Sequence, residues 1–193
     1  GRLEQTLKTD QDNGILFLPP RGKTAVAARA ELLPLAARIN QALAECGYPL
    51  CKGNIMAGNP ECCLSLAEWQ ARFANWIENG APEHLLKASI FFDFRALHGD
   101  AAPVEELRER VLEQVAASPR FLHLMAQNAL NNRPPLCLVR DFIVTGRDDA
   151  HPHAIDLKLR GTTPFVDGAR LFALAHRVGE TNTLARFHAA AKT

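Results

Sequence analysis

The sequence predicts an α/β (α+β) fold, with a small mixed sheet flanked by helices and then a mostly helical region. Three observations carry this. The first half alternates short apolar runs with stretches that repeat at helical spacing, and the second half is dominated by helical spacing. The 193 residues are 47% hydrophobic and 22% charged, an ordinary globular composition with enough length for a real core. No internal repeat and no low-complexity segment interrupts the pattern.

The elements follow in order. Residues 1–8 read as the last turns of a helix. Residues 11–18, ending Gly14-Ile15-Leu16-Phe17-Leu18, read as a buried strand closed by the Pro19-Pro20-Arg21-Gly22 turn. From 24 to about 46, Val26, Ala30, Leu33, Ala37 and Leu43 mark a helical face, and Gly47 supplies a C-terminal stop. A connection rich in Gly, Asn and Pro spans 47–64, with a short strand at 54–56. Ser65 then caps a helix through Trp69, Phe73 and Trp76 to Ile77, with Glu68 at the capping-box position.

A short helix after Pro82 leads into 89–95, Ser-Ile-Phe-Phe-Asp-Phe-Arg, which reads as the clearest strand. Helices are predicted over 103–116 and 118–131. A strand pair is predicted over 136–144 and 154–159, and two more helices over 164–178 and 181–191. The expected division is 1–118 for the α/β core and 119–193 for the helical domain.

Charge and cysteines narrow the function classes. A formal net charge of +1 gives no electrostatic case for a nucleic-acid or membrane partner. No apolar run reaches the length of a membrane span, and no signal peptide opens the chain. Five cysteines (46, 51, 62, 63 and 137) form no C-x-x-C pair, and adjacent Cys62-Cys63 suits tetrahedral zinc poorly. Reduced, structural thiols in a cytoplasmic protein are therefore expected.

The chemistry concentrates in acids. Asp10 and Asp12 stand at the mouth of the first strand. Side chains at i and i+2 share a face, about 6.5–7 Å apart along the chain. That suits two acids sharing a hard divalent cation, or a pair of them, over a polyphosphate. Asp93 lies inside the apolar run at 89–95, where burial demands a partner. Either it pairs with Arg95, or it serves as a third metal ligand or a base beside Asp10 and Asp12; the upstream Asp-x-Asp favours the second.

Other candidates are weaker. Gly22-Lys23-Thr24 lacks the first glycine of a P-loop, because Phe17 holds that position. His151-Pro152-His153 sits in a polar, Asp-rich stretch and reads as solvated. Lys52, Lys87 and Lys158 read as exposed lysines, Asn13 and Asn59 as strand-edge and turn residues. The Trp69/Phe73/Trp76 stripe reads as core.

Asp-x-Asp ending one strand, with a lone Asp in a later one, resembles the carboxylate pattern of the polymerase-β-like nucleotidyltransferase superfamily. Longer strings narrow the resemblance: Gly1-Arg2-Leu3-Glu4-Gln5, Thr9-Asp10-Gln11-Asp12-Asn13, Gly47-Tyr48-Pro49-Leu50-Cys51, Met56-Ala57-Gly58-Asn59-Pro60 and Phe91-Phe92-Asp93-Phe94-Arg95. With Trp69 to Trp76, they resemble a bacterial nucleotidyltransferase family found beside CBS or cyclic-nucleotide-binding domains. That family is similar to the N-terminal part of the uridylyltransferase that modifies the PII regulatory protein. The strings Ile155-Asp156-Leu157-Lys158, Thr162 to Asp167 and Thr181-Asn182-Thr183 resemble the family's helical substrate-binding domain.

The resemblance implies Mg²⁺ (or Mn²⁺) on Asp10 and Asp12, bridging a nucleoside triphosphate, with Asp93 completing the metal site or activating the attacking hydroxyl. It places Gly1 and Arg2 at the phosphates. It implies transfer of a nucleoside monophosphate to a hydroxyl acceptor, with a regulatory protein as a candidate, and CBS or cyclic-nucleotide-binding domains in the parent chain. The family's Gly-Ser phosphate turn should lie just before Gly1. The sequence is therefore expected to be an excerpt, inactive by itself, that also stops partway into the helical domain. Two alternatives stay open: a non-catalytic nucleotide-sensing module, and a helical interaction domain whose acids pair with arginines.

Overall fold

A computed structural model describes residues 1–5, 9–132 and 156–192. Among the described residues the fold is mixed α+β, mostly helical, with one small parallel sheet flanked by helices. The chain divides into two compact units. A sheet unit comprises Leu3–Asn75 and Ala96–Val111, and a helical unit comprises Gly1–Arg2, Trp76–Arg95 and Leu112–Thr193.

In the sheet unit, β1 (Ile15–Phe17) pairs in parallel with β2 (Cys63–Ser65), Leu16 opposite Leu64. Parallel neighbours need a crossover, and α1 (Ala25–Glu45) supplies it. Thr24 caps α1 by accepting from the Ala27 amide at 3.2 Å, and Gly47, at φ 94°, takes the left-handed turn after it. The buried face of α1 is Ala28, Ala36 and Asn40, whereas the expected face does not hold: Val26, Ala30 and Ala37 are exposed. An Ala- and Leu-rich helix carries apolar groups nearly all round, so periodicity alone cannot choose its face.

β2 leads directly into α2 (Leu66–Asn79) through the expected capping box. The Ser65 amide donates to Glu68 Oε2 at 2.8 Å, and Ser65 Oγ donates to the same oxygen at 2.7 Å. The α2 stripe is core, as its spacing predicts: Trp69, Phe73 and Trp76 are all buried. Trp69 Nε1 donates to the Ile15 carbonyl at 3.0 Å, giving the ring's polar edge a partner. Cys62 and Cys63 are buried beside it, and burial pushes both thiols up.

The helical unit holds α3 (Pro82–Phe91), the C-terminal turns of α4 (Ala102–Ala116), then α5 (Pro119–Ala129), α6 (Thr163–Ala175) and α7 (Thr183–Ala190). α6 packs on α5 and α7, and α3 on α5. The core includes Leu85, Ala88, Phe92, Val115, Phe121 and Met125, with Phe92 edge-on to Phe121 at 6.0 Å.

Three expectations are corrected here. Residues 89–95 are not a strand: α3 continues to Phe91, and the chain then turns. Leu85, Ala88 and Phe92 recur at helical spacing, so the run buries one helix face instead of alternating between two. Gly1–Gln5 are irregular, with Leu3 at φ 61° rather than in a helix. Residues 157–162 form a π-helical turn, capped by Asp156 on the Leu159 amide at 2.9 Å, in place of a strand end. The expected strand at 136–144, Cys137 and His151-Pro152-His153 lie outside the described residues. No helix among the described residues is long and apolar enough to cross a membrane.

Candidate functional site

Residues 10–13 lead into β1 and are held by the 47–58 connection and by α1. The Gln11 amide donates to the Pro49 carbonyl at 3.0 Å, and the Asn13 amide to the Ile55 carbonyl at 3.1 Å. Their side chains face α1: Asn40 Nδ2 donates to Gln11 Oε1 at 2.9 Å and to Asn13 Oδ1 at 3.0 Å. With Gln11 buried and Asn13 half-buried, the residues between and before them take the solvent side. Asp10 and Asp12 are accordingly both exposed. Among the described residues neither carboxylate has an ion pair or hydrogen-bond donor.

Asp93 has the opposite environment. It follows the C-terminus of α3 in the helical unit and is only 5% exposed. Arg170, from α6, meets it with two nitrogens: Nη2 to Oδ2 at 2.6 Å and Nε to Oδ1 at 3.3 Å. Arg186, from α7, places Nη2 2.8 Å from Oδ1, and Arg2 places Nη1 3.2 Å from Oδ2. Burial pushes the Asp93 carboxyl up, but the Arg170 hydrogen bonds and the charges of Arg170 and Arg186 outweigh it. The group is held below the usual carboxylate range.

The arginines are themselves tied down. Arg170 Nη1 reaches Asp167 at 2.7 Å, and Arg186 Nε donates to the Glu180 carbonyl at 2.7 Å. Asn182 both caps α7, accepting from the Ala185 amide at 3.0 Å, and donates to the Arg2 carbonyl at 3.2 Å. Gly1 lies against Asp93, where a Cβ would stand 2.5 Å from the Asp93 carbonyl oxygen. Gly1 and Arg2 are thus brought together with Asp93.

Of the residues singled out in the sequence, Asp10 and Asp12 share one exposed face of the sheet unit, while Asp93, Gly1 and Arg2 form a cluster in the helical unit. The partners of Asp93 are Arg170, Arg186 and Arg2 rather than Arg95, which is exposed. Among the described residues no group of three or more His, Cys, Asp or Glu side chains is placed to hold a metal ion. Asn40, Arg170 and Arg186 went unnoticed in the sequence. The available signal was a polar residue within an apolar helical stretch: Asn40 in α1, Arg170 before Leu171-Phe172-Ala173-Leu174, and Arg186 beside Leu184 and Phe187.

Comparison with family models decides the class. Residues 1–83 match the family described as "Putative nucleotidyltransferase DUF294". Residues 119–193 match the "Putative nucleotidyltransferase substrate binding domain". Together the two matches support a nucleotidyltransferase family for this chain. They also support a general nucleotidyltransferase function and imply a nucleotide as substrate. The first match contains Asp10, Asp12, Gln11, Asn13 and Asn40, and the second contains Arg170 and Arg186. No curated protein and no solved structure matches the chain.

Proposed function

We propose that this nucleotidyltransferase uses Asp10 and Asp12 to hold Mg²⁺ (or Mn²⁺) against the triphosphate of a nucleoside triphosphate. The observation carrying this is the pair of exposed carboxylates, unengaged by any described residue, on the solvent side of a segment fixed from its other side. The donors fit the ion. Mg²⁺ favours oxygen, keeps several waters, and commonly takes one or two carboxylates plus substrate phosphates. When bound, the ion would offset phosphate charge and polarise the phosphorus under attack.

The chain's own residues supply position. Gln11 and Asn13 fix the carboxylates' side, and holding reactants in place is a large share of phosphoryl-transfer catalysis. A hydroxyl of the acceptor attacks the α-phosphorus, the nucleoside monophosphate is transferred and pyrophosphate leaves. We take the acceptor to be a regulatory protein, as in PII uridylylation, with regulatory CBS or cyclic-nucleotide-binding domains in the parent chain and a cytoplasmic setting. Asp93, with Gly1 and Arg2 against it, enters this reading as the anchor of the helical unit. Service as a metal ligand would require it to give up its guanidinium partners.

That engagement of Asp93 favours a second reading, a nucleotide-sensing module that binds without transfer. The two separate on one experiment. The full-length parent protein is incubated with each α-³²P-labelled nucleoside triphosphate, Mg²⁺ and cell extract, beside an Asp10→Asn, Asp12→Asn variant. Label passing to a macromolecular acceptor with wild type and not with the variant supports transfer. Retention of the nucleotide without transfer by either supports the sensor.

A further inference from the structure

We infer that Asn40 is a positioning residue for the Asp10/Asp12 face, acting through Gln11 and Asn13; the inference rests on the metal-holding reading of those aspartates. Asn40 lies in the C-terminal half of α1, 29 residues from Gln11, and both amides are buried, at 4% and 5% exposure. Every polar atom of the Asn40 side chain is used. Nδ2 donates to Gln11 Oε1 and Asn13 Oδ1, and Oδ1 accepts from the Gly58 amide at 2.9 Å. Its backbone carbonyl accepts from Gln11 Nε2 at 2.9 Å, and the same nitrogen donates to the Tyr48 carbonyl at 2.8 Å. Asn13 Oδ1 also accepts from the Ala57 amide at 2.8 Å.

The network therefore reads residues 11 and 13 separately, by side chain and by backbone, and leaves 10 and 12 facing out. A one-residue slip of this segment would turn the carboxylates inward and the amides to solvent. The surroundings are shaped for it: a Cβ on Gly58 would stand 3.1 Å from the Ala37 Cα and 3.2 Å from Asn40 Oδ1, so glycine allows the loop this close to α1. A fully satisfied buried amide network fixes one arrangement where an apolar contact would tolerate several. Outer-shell groups that bond a metal ligand directly are typically worth about 10–100-fold in metal affinity, and a network that fixes the backbone bearing the ligands is expected at the lower end of that range.

The test is direct Mn²⁺ titration of the full chain, read by loss of the free-ion electron paramagnetic resonance signal. It compares wild type, Asp10→Asn, Asn40→Asp and Gln11→Met. Asn40→Asp keeps the shape but turns both donors into an acceptor facing Gln11 Oε1 and Asn13 Oδ1, and Gln11→Met removes the amide while filling its space. Circular dichroism selects whichever variants retain the native spectrum, and Asn13→Ala, which removes one acceptor from a half-buried position, serves if both others unfold. We expect the Mn²⁺ dissociation constant to rise about tenfold or more in folded variants whose aspartates are untouched. A folded variant within twofold of wild type overturns the positioning role alone. Wild-type binding indistinguishable from Asp10→Asn overturns the metal-holding reading, and this inference with it.

Discussion

Arg170 grips Asp93 at two points, Nη2 to Oδ2 at 2.6 Å and Nε to Oδ1 at 3.3 Å, with both side chains about 95% buried. The pair joins the end of α3 to α6, and Arg186 brings in α7. Burial opposes the Arg186 charge, and Asp93 compensates for it only in part, so its guanidinium is held below the usual arginine range. Asp93 is the counter-charge on which this arginine cluster depends.

Removing it should be costly. Asp93→Asn retains the shape but takes from buried Arg186 its carboxylate and leaves Arg170 with Asp167 alone, and breaking such a pair typically costs about 3–5 kcal/mol. Urea unfolding at neutral pH is expected to show a loss in that range. A loss below about 1 kcal/mol would contradict the anchor role.

Exposed Asp10 and Asp12 should behave in the reverse way. Asp10→Asn and Asp12→Asn are expected to shift stability by no more than about 0.5 kcal/mol, as surface changes do. Each should cut label transfer about 100-fold or more, since the metal's share of transition-state stabilisation is several kcal/mol. Equal loss of stability and transfer would assign these acids to the fold instead.

Acid should loosen both units. Hydrogen bonding from Arg29, against the opposing effect of burial, lowers Glu68 from 4.5 to about 2, and Asp93 is lowered from 3.8 because its arginines together outweigh its own burial. Each contributes stability above its unfolded value, lost as pH falls through its folded value. Stability should therefore decline as pH drops from 4.5 toward 2. Glu68→Gln should decline less steeply over that window in urea titrations at fixed pH. Equal slopes for wild type and variant would remove Glu68 from the account.

The capping box gives a local test. Ser65→Ala removes the hydroxyl that bonds Glu68 Oε2, and loss of an N-cap typically costs about 0.5–2 kcal/mol. Thermal unfolding should show a lower midpoint; an unchanged midpoint would mean that Glu68, through the Ser65 amide and Arg29, holds the start of α2 unaided.

What was legible in the sequence was local. Gly47, Ser65 and Glu68 mark helix ends through local contacts, and the structure reproduces them. The Ile90-Phe91-Phe92-Asp93-Phe94 run was misread because five residues fit a strand or a helix equally, and Leu85 and Ala88 decided the matter from upstream. The partners of Asp93 are 77, 91 and 93 positions away, and those of the Gln11 side chain are 29 and 37, so no spacing rule could name them. Gln11 and Asn13, the second of which reads as a strand-edge residue, set through their amides the side on which the acids stand.

The central claim is that Asp10 and Asp12 hold the cation that serves the nucleotide. Its most direct test is anomalous scattering from a crystal of the full chain grown with Mn²⁺ and an α,β-methylene nucleoside triphosphate. The account predicts a manganese peak bridging one or both of these carboxylates and the triphosphate, with Asp93 still paired to Arg170. A nucleotide-bound manganese peak on Asp93, with Asp10 and Asp12 left in solvent, would contradict it.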